Sequence, residues 1–158
     1  MEHSLETGLS FGLTTGVTTT LGLIVGLAAG TQSEATVLGG ILIIAVADAL
    51  SESLGIHISE EAEGIHNHRQ VWLSTAYLFI TKFLVVSSFI VPVLVFELTT
   101  AVFVSVVWGI SLIVLLNLFV VGNEHDDRMR PVLEHLMIVL LVVFVTYYIG
   151  TMASRIFV

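Results

Sequence analysis

The sequence predicts an all-α membrane domain of five transmembrane helices, and three observations predict it. Hydrophobic residues fill 56% of the 158 positions and charged residues 11%, where a soluble domain carries about a quarter charged residues. Mean hydropathy is +1.01. Five stretches, 8–30, 36–58, 71–91, 94–121 and 132–155, reach the roughly 20 apolar residues that a spanning helix needs at ~1.5 Å rise per residue. They leave no room for a separate soluble unit, so 1–158 reads as a single transmembrane domain.

The polar residues narrow the chemistry. With no cysteine, disulfides, thiolate metal sites and cysteine nucleophiles are excluded. A net charge of −8 does not suit nucleic acid, which wants clustered Lys and Arg. The sequence holds no HExxH, P-loop, GxSxG or strand-borne GxGxxG, so neither an enzyme nor a prosthetic group is expected. The acidic start Met1-Glu2-His3-Ser4-Leu5-Glu6 is unlike a basic secretory leader, so the first helix is expected to be retained. Arg69, between helices two and three, and Arg128 and Arg130, between four and five, mark their side as cytoplasmic by the positive-inside rule. The N-terminus is then inside, and Arg155 and the C-terminus are outside.

Helix one is rich in glycine. Gly8, Gly12, Gly16, Gly22, Gly26 and Gly30, with Thr15 and Thr19, fall within about a third of the circumference at ~100° per residue. Such a stripe lets backbones approach closely in lipid, either inside one subunit or at a subunit interface or pathway. Helix two carries the strongest signal. Gly40, Ala47, Asp48, Ser51, Glu52, Gly55 and Ser59 share one broad face, opposite apolar Leu42, Ile43, Val46, Leu50 and Leu54. Asp48 lies about ten residues from either end, hence ~15 Å deep. An ionisable group at that depth is costly and marks a functional site by default. Glu52 lies one turn away on the same face, and two carboxylates at that spacing repel unless a cation or proton relieves them.

Beyond helix two, His57, Glu60, Glu61, Glu63, His66 and His68 gather oxygen and imidazole ligands suited to first-row metals. They read either as a solvated loop or as a funnel collecting cations. Helix three holds Lys82 near mid-membrane. It either neutralises Asp48 or Glu52 structurally or exchanges places with a transported ion. Pro92 divides helices three and four, and Glu97 falls at the exposed outer end of helix four. Asn123 to Arg130 form a second acidic and histidine patch, followed by Pro131 in the first turn of helix five and by Glu134 and His135. The rest of helix five reads as scaffold.

The run Phe11-Gly-Leu-Thr-Thr-Gly-Val-Thr-Thr-Thr-Leu-Gly-Leu-Ile-Val-Gly-Leu-Ala-Ala-Gly30 resembles the first helix of the vacuolar iron transporter family. Ala47-Asp-Ala-Leu-Ser-Glu-Ser-Leu-Gly-Ile-His-Ile-Ser59 resembles its second-helix signature. The resemblance implies a homodimer that exports ferrous iron or manganese from the cytosol in exchange for protons, along a path at the dimer interface lined by helices one and two. The chain departs from the family pattern at four places. Thr15 stands where the family has aspartate, Glu52 where it has methionine, Ile56 where it has glutamate and His57 where it has tyrosine. Two carboxylates remain on the path, but thioether ligation is lost, which opens the choice of divalent ion. The short acidic loop replacing the cytosolic metal-binding helices of plant members suggests a minimal, prokaryotic branch in the cell membrane.

The sequence thus leads to an expected transporter of divalent cations, iron or manganese, in exchange for protons. Asp48 and Glu52 would form the ion site, with Ser51, Thr15 and Thr19 giving neutral oxygens and Gly55 clearance. His57, Glu60, Glu61 and Glu63 would collect ions. Two rivals are a structural or regulatory membrane subunit without transport, and a passive cation channel.

Overall fold

The computed structural model describes residues 2–120 and 129–157, with side chains for 6–118 and 132–156. Six helices follow one another: α1 (Glu2–Thr31), α2 (Glu34–Glu63), α3 (His68–Ser88), α4 (Ile90–Val95), α5 (Leu98–Val120) and α6 (Met129–Phe157). No strand occurs among the described residues. Five segments are long and apolar enough to cross a membrane: Glu6–Thr31, Glu34–Glu63, His68–Val95, Leu98–Leu118 and Val132–Ile156. This is the architecture of a multi-pass membrane protein.

The helix ends have local causes. Gln32, in the left-handed region at φ 50°, turns the chain between α1 and α2, and its side-chain amide donates to the Ala28 carbonyl at 2.8 Å. Ser33 caps α2 through its hydroxyl. Gly64, at φ 65°, closes α2 in the conformation that glycine adopts without Cβ strain. Asn67 and Gln70 form a reciprocal capping box at the start of α3, satisfying two orphan donors.

The boundary expected at Pro92 is displaced. The third span runs on to Val95, and the chain turns at Phe96, which is extended at φ −118° and ψ 155°. Pro92 is the third residue of α4, a first-turn place where its missing N–H is not required. Glu97 is exposed just before α5, where its carbonyl accepts from the Ala101 N–H at 2.8 Å.

α1 is the central post, packing against α2, α3, α5 and α6. Val17, Leu21 and Ile24 of α1 meet Ile41 of α2, Val86 of α3 and Ile113 of α5 in one core. The glycine stripe serves this packing. A Cβ at Gly8 or Gly12 would meet Tyr77, Leu78 or Thr81 of α3 at 3.2 Å or closer, and one at Gly22 or Gly30 would meet Val142 or Gly150 of α6 at 3.0 and 3.2 Å. Of the two readings of the stripe, packing inside one subunit is the one seen at these glycines. One half of it is covered by α3 and the other by α6, because glycine rows admit whichever backbone comes nearest. Apolar surface stays open on α2, where Leu42, Ile43, Val46, Leu50 and Leu54 all point outward, and on α5 and α6 as well.

Candidate cation site

α2 and α3 form an antiparallel hairpin around the 64–67 turn, so residues equally far from the turn face each other. Asp48 is at the middle of α2, and Glu52 follows one turn later. Lys82 arrives opposite them from α3. Its Nζ lies 2.7 Å from Asp48 Oδ2 and 2.6 Å from Glu52 Oε1. The contacts are ion pairs, and neither has the alignment of a hydrogen bond. Lys82 is wholly enclosed, at 0% side-chain exposure, whereas Asp48 keeps 28% and Glu52 26%. Gly16 makes room for the lysine: a Cβ there would stand 3.4 Å from Lys82 Cγ.

Each carboxylate is thus divided between an inner and an outer oxygen. Asp48 Oδ2 is buried against the ammonium, so the exposure of that residue lies on its other side. Glu52 Oε2 receives the Thr15 hydroxyl at 2.7 Å. That hydroxyl also lies 2.8 Å from the Phe11 carbonyl, so its single proton is shared between two acceptors. The cluster carries two negative charges and one positive, a net charge of −1. Its outer oxygens lie off the ammonium at mid-helix, that of Glu52 beside Thr15.

Toward the 64–67 turn the same seam continues with His57. Its Nδ1 is 3.0 Å from the Thr75 hydroxyl, and that hydroxyl donates to the Val71 carbonyl at 2.8 Å. The Thr75 hydroxyl thus lies between the Val71 carbonyl and His57 Nδ1, and it fixes the orientation of the ring whichever of the two nitrogens carries the proton. Trp72 packs edge-on to the ring at a centroid distance of 4.6 Å, and its indole N–H donates to His68 Nε2 at 3.1 Å.

The remaining expected site residues do not gather. Ser51 faces outward from α2, apart from the cluster. Gly55 has open space around it, with nothing within 4 Å of an added Cβ. Glu61 and Glu63 are exposed, whereas Glu60 is 5% exposed with Oε2 lacking a hydrogen-bond partner. Among the described residues, no three His, Asp or Glu side chains converge on a common metal position. The patch from Asn123 to Arg130 lies outside the described side chains. Of its neighbours, Glu134 is exposed and His135 Nδ1 lies 3.2 Å from Asn117 Oδ1.

Thr75, Trp72 and the pairing of Lys82 with both carboxylates at once were not specified by the sequence reading. A signal for them existed. The hairpin register pairs residues nine positions either side of 66, giving His57 with Thr75, and fifteen either side of 67, giving Glu52 with Lys82.

No family model, curated protein or solved structure matches this chain.

Proposed function

We propose that this protein carries a divalent metal cation, iron or manganese, across the bilayer in exchange for protons, at the Asp48–Glu52 pair. One observation carries the reading: two carboxylates at the middle of a spanning helix meet a single ammonium and remain a quarter exposed. A group that served only to hold helices together would do best fully enclosed and neutralised. Here two acids share one ammonium and keep part of their surface exposed. Thr15 steadies the outer Glu52 oxygen, and protons compete with metal for the same atoms. His57, held by Thr75 on the same seam, is suited to hand ions to the pair from the side of the 64–67 turn, which we take as cytoplasmic. Membership of the vacuolar iron transporter family, and a dimer formed across the open α2 face, are parts of the same proposal. They are supported by the helix-one and helix-two stretches.

The test is uptake of ferrous and manganous ions into proteoliposomes under a pH gradient. Asp48→Asn and Glu52→Gln each leave Lys82 one carboxylate, so the bundle is expected to persist by circular dichroism while flux falls to background. Full activity in the double variant ends the proposal. Flux indifferent to the pH gradient points to a passive channel.

The second reading, a structural or regulatory subunit, is favoured by the clasp of Lys82 on both acids. It requires that charge-neutral replacements in matched pairs be tolerated and that no metal bind.

A further inference from the structure

Lys82 is the chain's only lysine, and it is placed with its ammonium touching both acids and its stem over Gly16. A carboxylate pair without it would present two negative charges to a divalent ion in a poorly solvated setting. Such a pair would hold the ion tightly, and a transport site has to let its ion go. With the ammonium seated on the inner oxygens, an arriving divalent ion on the outer ones meets a net charge of −1 and a like charge a few ångströms behind it. Coulomb repulsion over that distance is large wherever water is scarce. The ammonium is too enclosed to leave for solvent, so it acts from where it is.

Resting on the transport reading above, we infer that Lys82 is a resident counter-ion that limits the affinity of the Asp48–Glu52 pair for divalent cations, and so sets the rate of their release. It is a positioning residue: it holds Asp48 Oδ2 and Glu52 Oε1 inward, leaves their outer oxygens for the cargo, and weakens the hold of those oxygens. The cluster alternates between an ammonium-only state and a state in which ammonium and cation share the two acids. No bond is made or broken in the exchange.

The experiment measures Mn²⁺ binding to the full-length protein in detergent by calorimetry, and Mn²⁺ uptake in proteoliposomes. Lys82→Gln removes the charge and keeps a hydrogen-bond donor for the acids. It is expected to bind Mn²⁺ about tenfold tighter or more, with KM and maximal uptake rate falling together. Lys82→Arg keeps the charge and is expected to stay near wild-type affinity. Lys82→Met serves in the same way should the glutamine variant not assemble. Unchanged or weaker Mn²⁺ binding in a well-folded neutral variant, beside a wild type that transports, overturns this inference alone. A wild type that neither binds nor carries Mn²⁺ overturns the transport reading and this inference with it.

Discussion

A buried charge is held by what touches it, and Lys82 makes the cost explicit. Removing one partner from a buried ion pair costs about 3–5 kcal/mol, and the quarter exposure of both acids places this cluster at the lower end. The ammonium has two partners, so losing one leaves it paired. Asp48→Asn should therefore lower thermal stability by less than about 1.5 kcal/mol, whereas the double variant Asp48→Asn/Glu52→Gln strands the ammonium and should cost about 3 kcal/mol. Denaturation in detergent monitored by circular dichroism distinguishes the two. At His57 the effect is on orientation. Thr75→Val removes the hydroxyl that holds His57 Nδ1 at 3.0 Å, freeing the ring. A reduction of roughly tenfold in apparent affinity for Mn²⁺ uptake is expected, the lower end for loss of a second-shell partner, with maximal rate little changed. An unaltered KM would remove His57 from the entry route.

At the scale of elements, glycine rows decide which helices touch. Gly12 accepts the α3 backbone so closely that a Cβ would stand 3.0 Å from the Leu78 carbonyl. Gly12→Leu should force α1 and α3 apart at a cost of about 1–3 kcal/mol, and should loosen the seat of Lys82, read as a fall in both Tm and uptake. These spans were legible from composition and length, because roughly 20 apolar residues are a direct reading of bilayer thickness. So were the mid-helix place of Asp48 and its alignment with Glu52, since one helix fixes its own angles. Neighbours across helices were not legible. Periodicity gives the direction in which Gly22 or Gly8 points but not which backbone fills the space, so the stripe looked like one surface and proved to be two. Pro92 misled for a related reason. Proline lacks its own N–H, and a first turn tolerates that loss as well as a break between helices does. Glu60 looked like its exposed neighbours Glu61 and Glu63 in composition, and only the seam between α2 and α3 separates it from them.

For the whole molecule, five crossings would put the start of α1 and the end of α6 on opposite sides of the bilayer. The absence of cysteine makes this directly measurable. Glu61→Cys and Arg155→Cys, both at exposed positions, should react with an impermeant maleimide from opposite faces of sealed vesicles. Labelling of both from one face would remove the five-span topology. The central place of α1 reaches further, into how the protein is made. Half of the α1 span is buried against its neighbours, while the α6 span is 11% buried. Among the described helices the earliest in the chain is therefore the one most dependent on those that follow, and Gly22 and Gly30 wait for α6. Until α6 arrives, a nascent chain holds an uncovered glycine groove in lipid, open to quality-control machinery. A stop codon in the α5–α6 connection should thus yield a product that inserts and is then degraded, with a half-life that co-expression of α6 as a separate peptide prolongs.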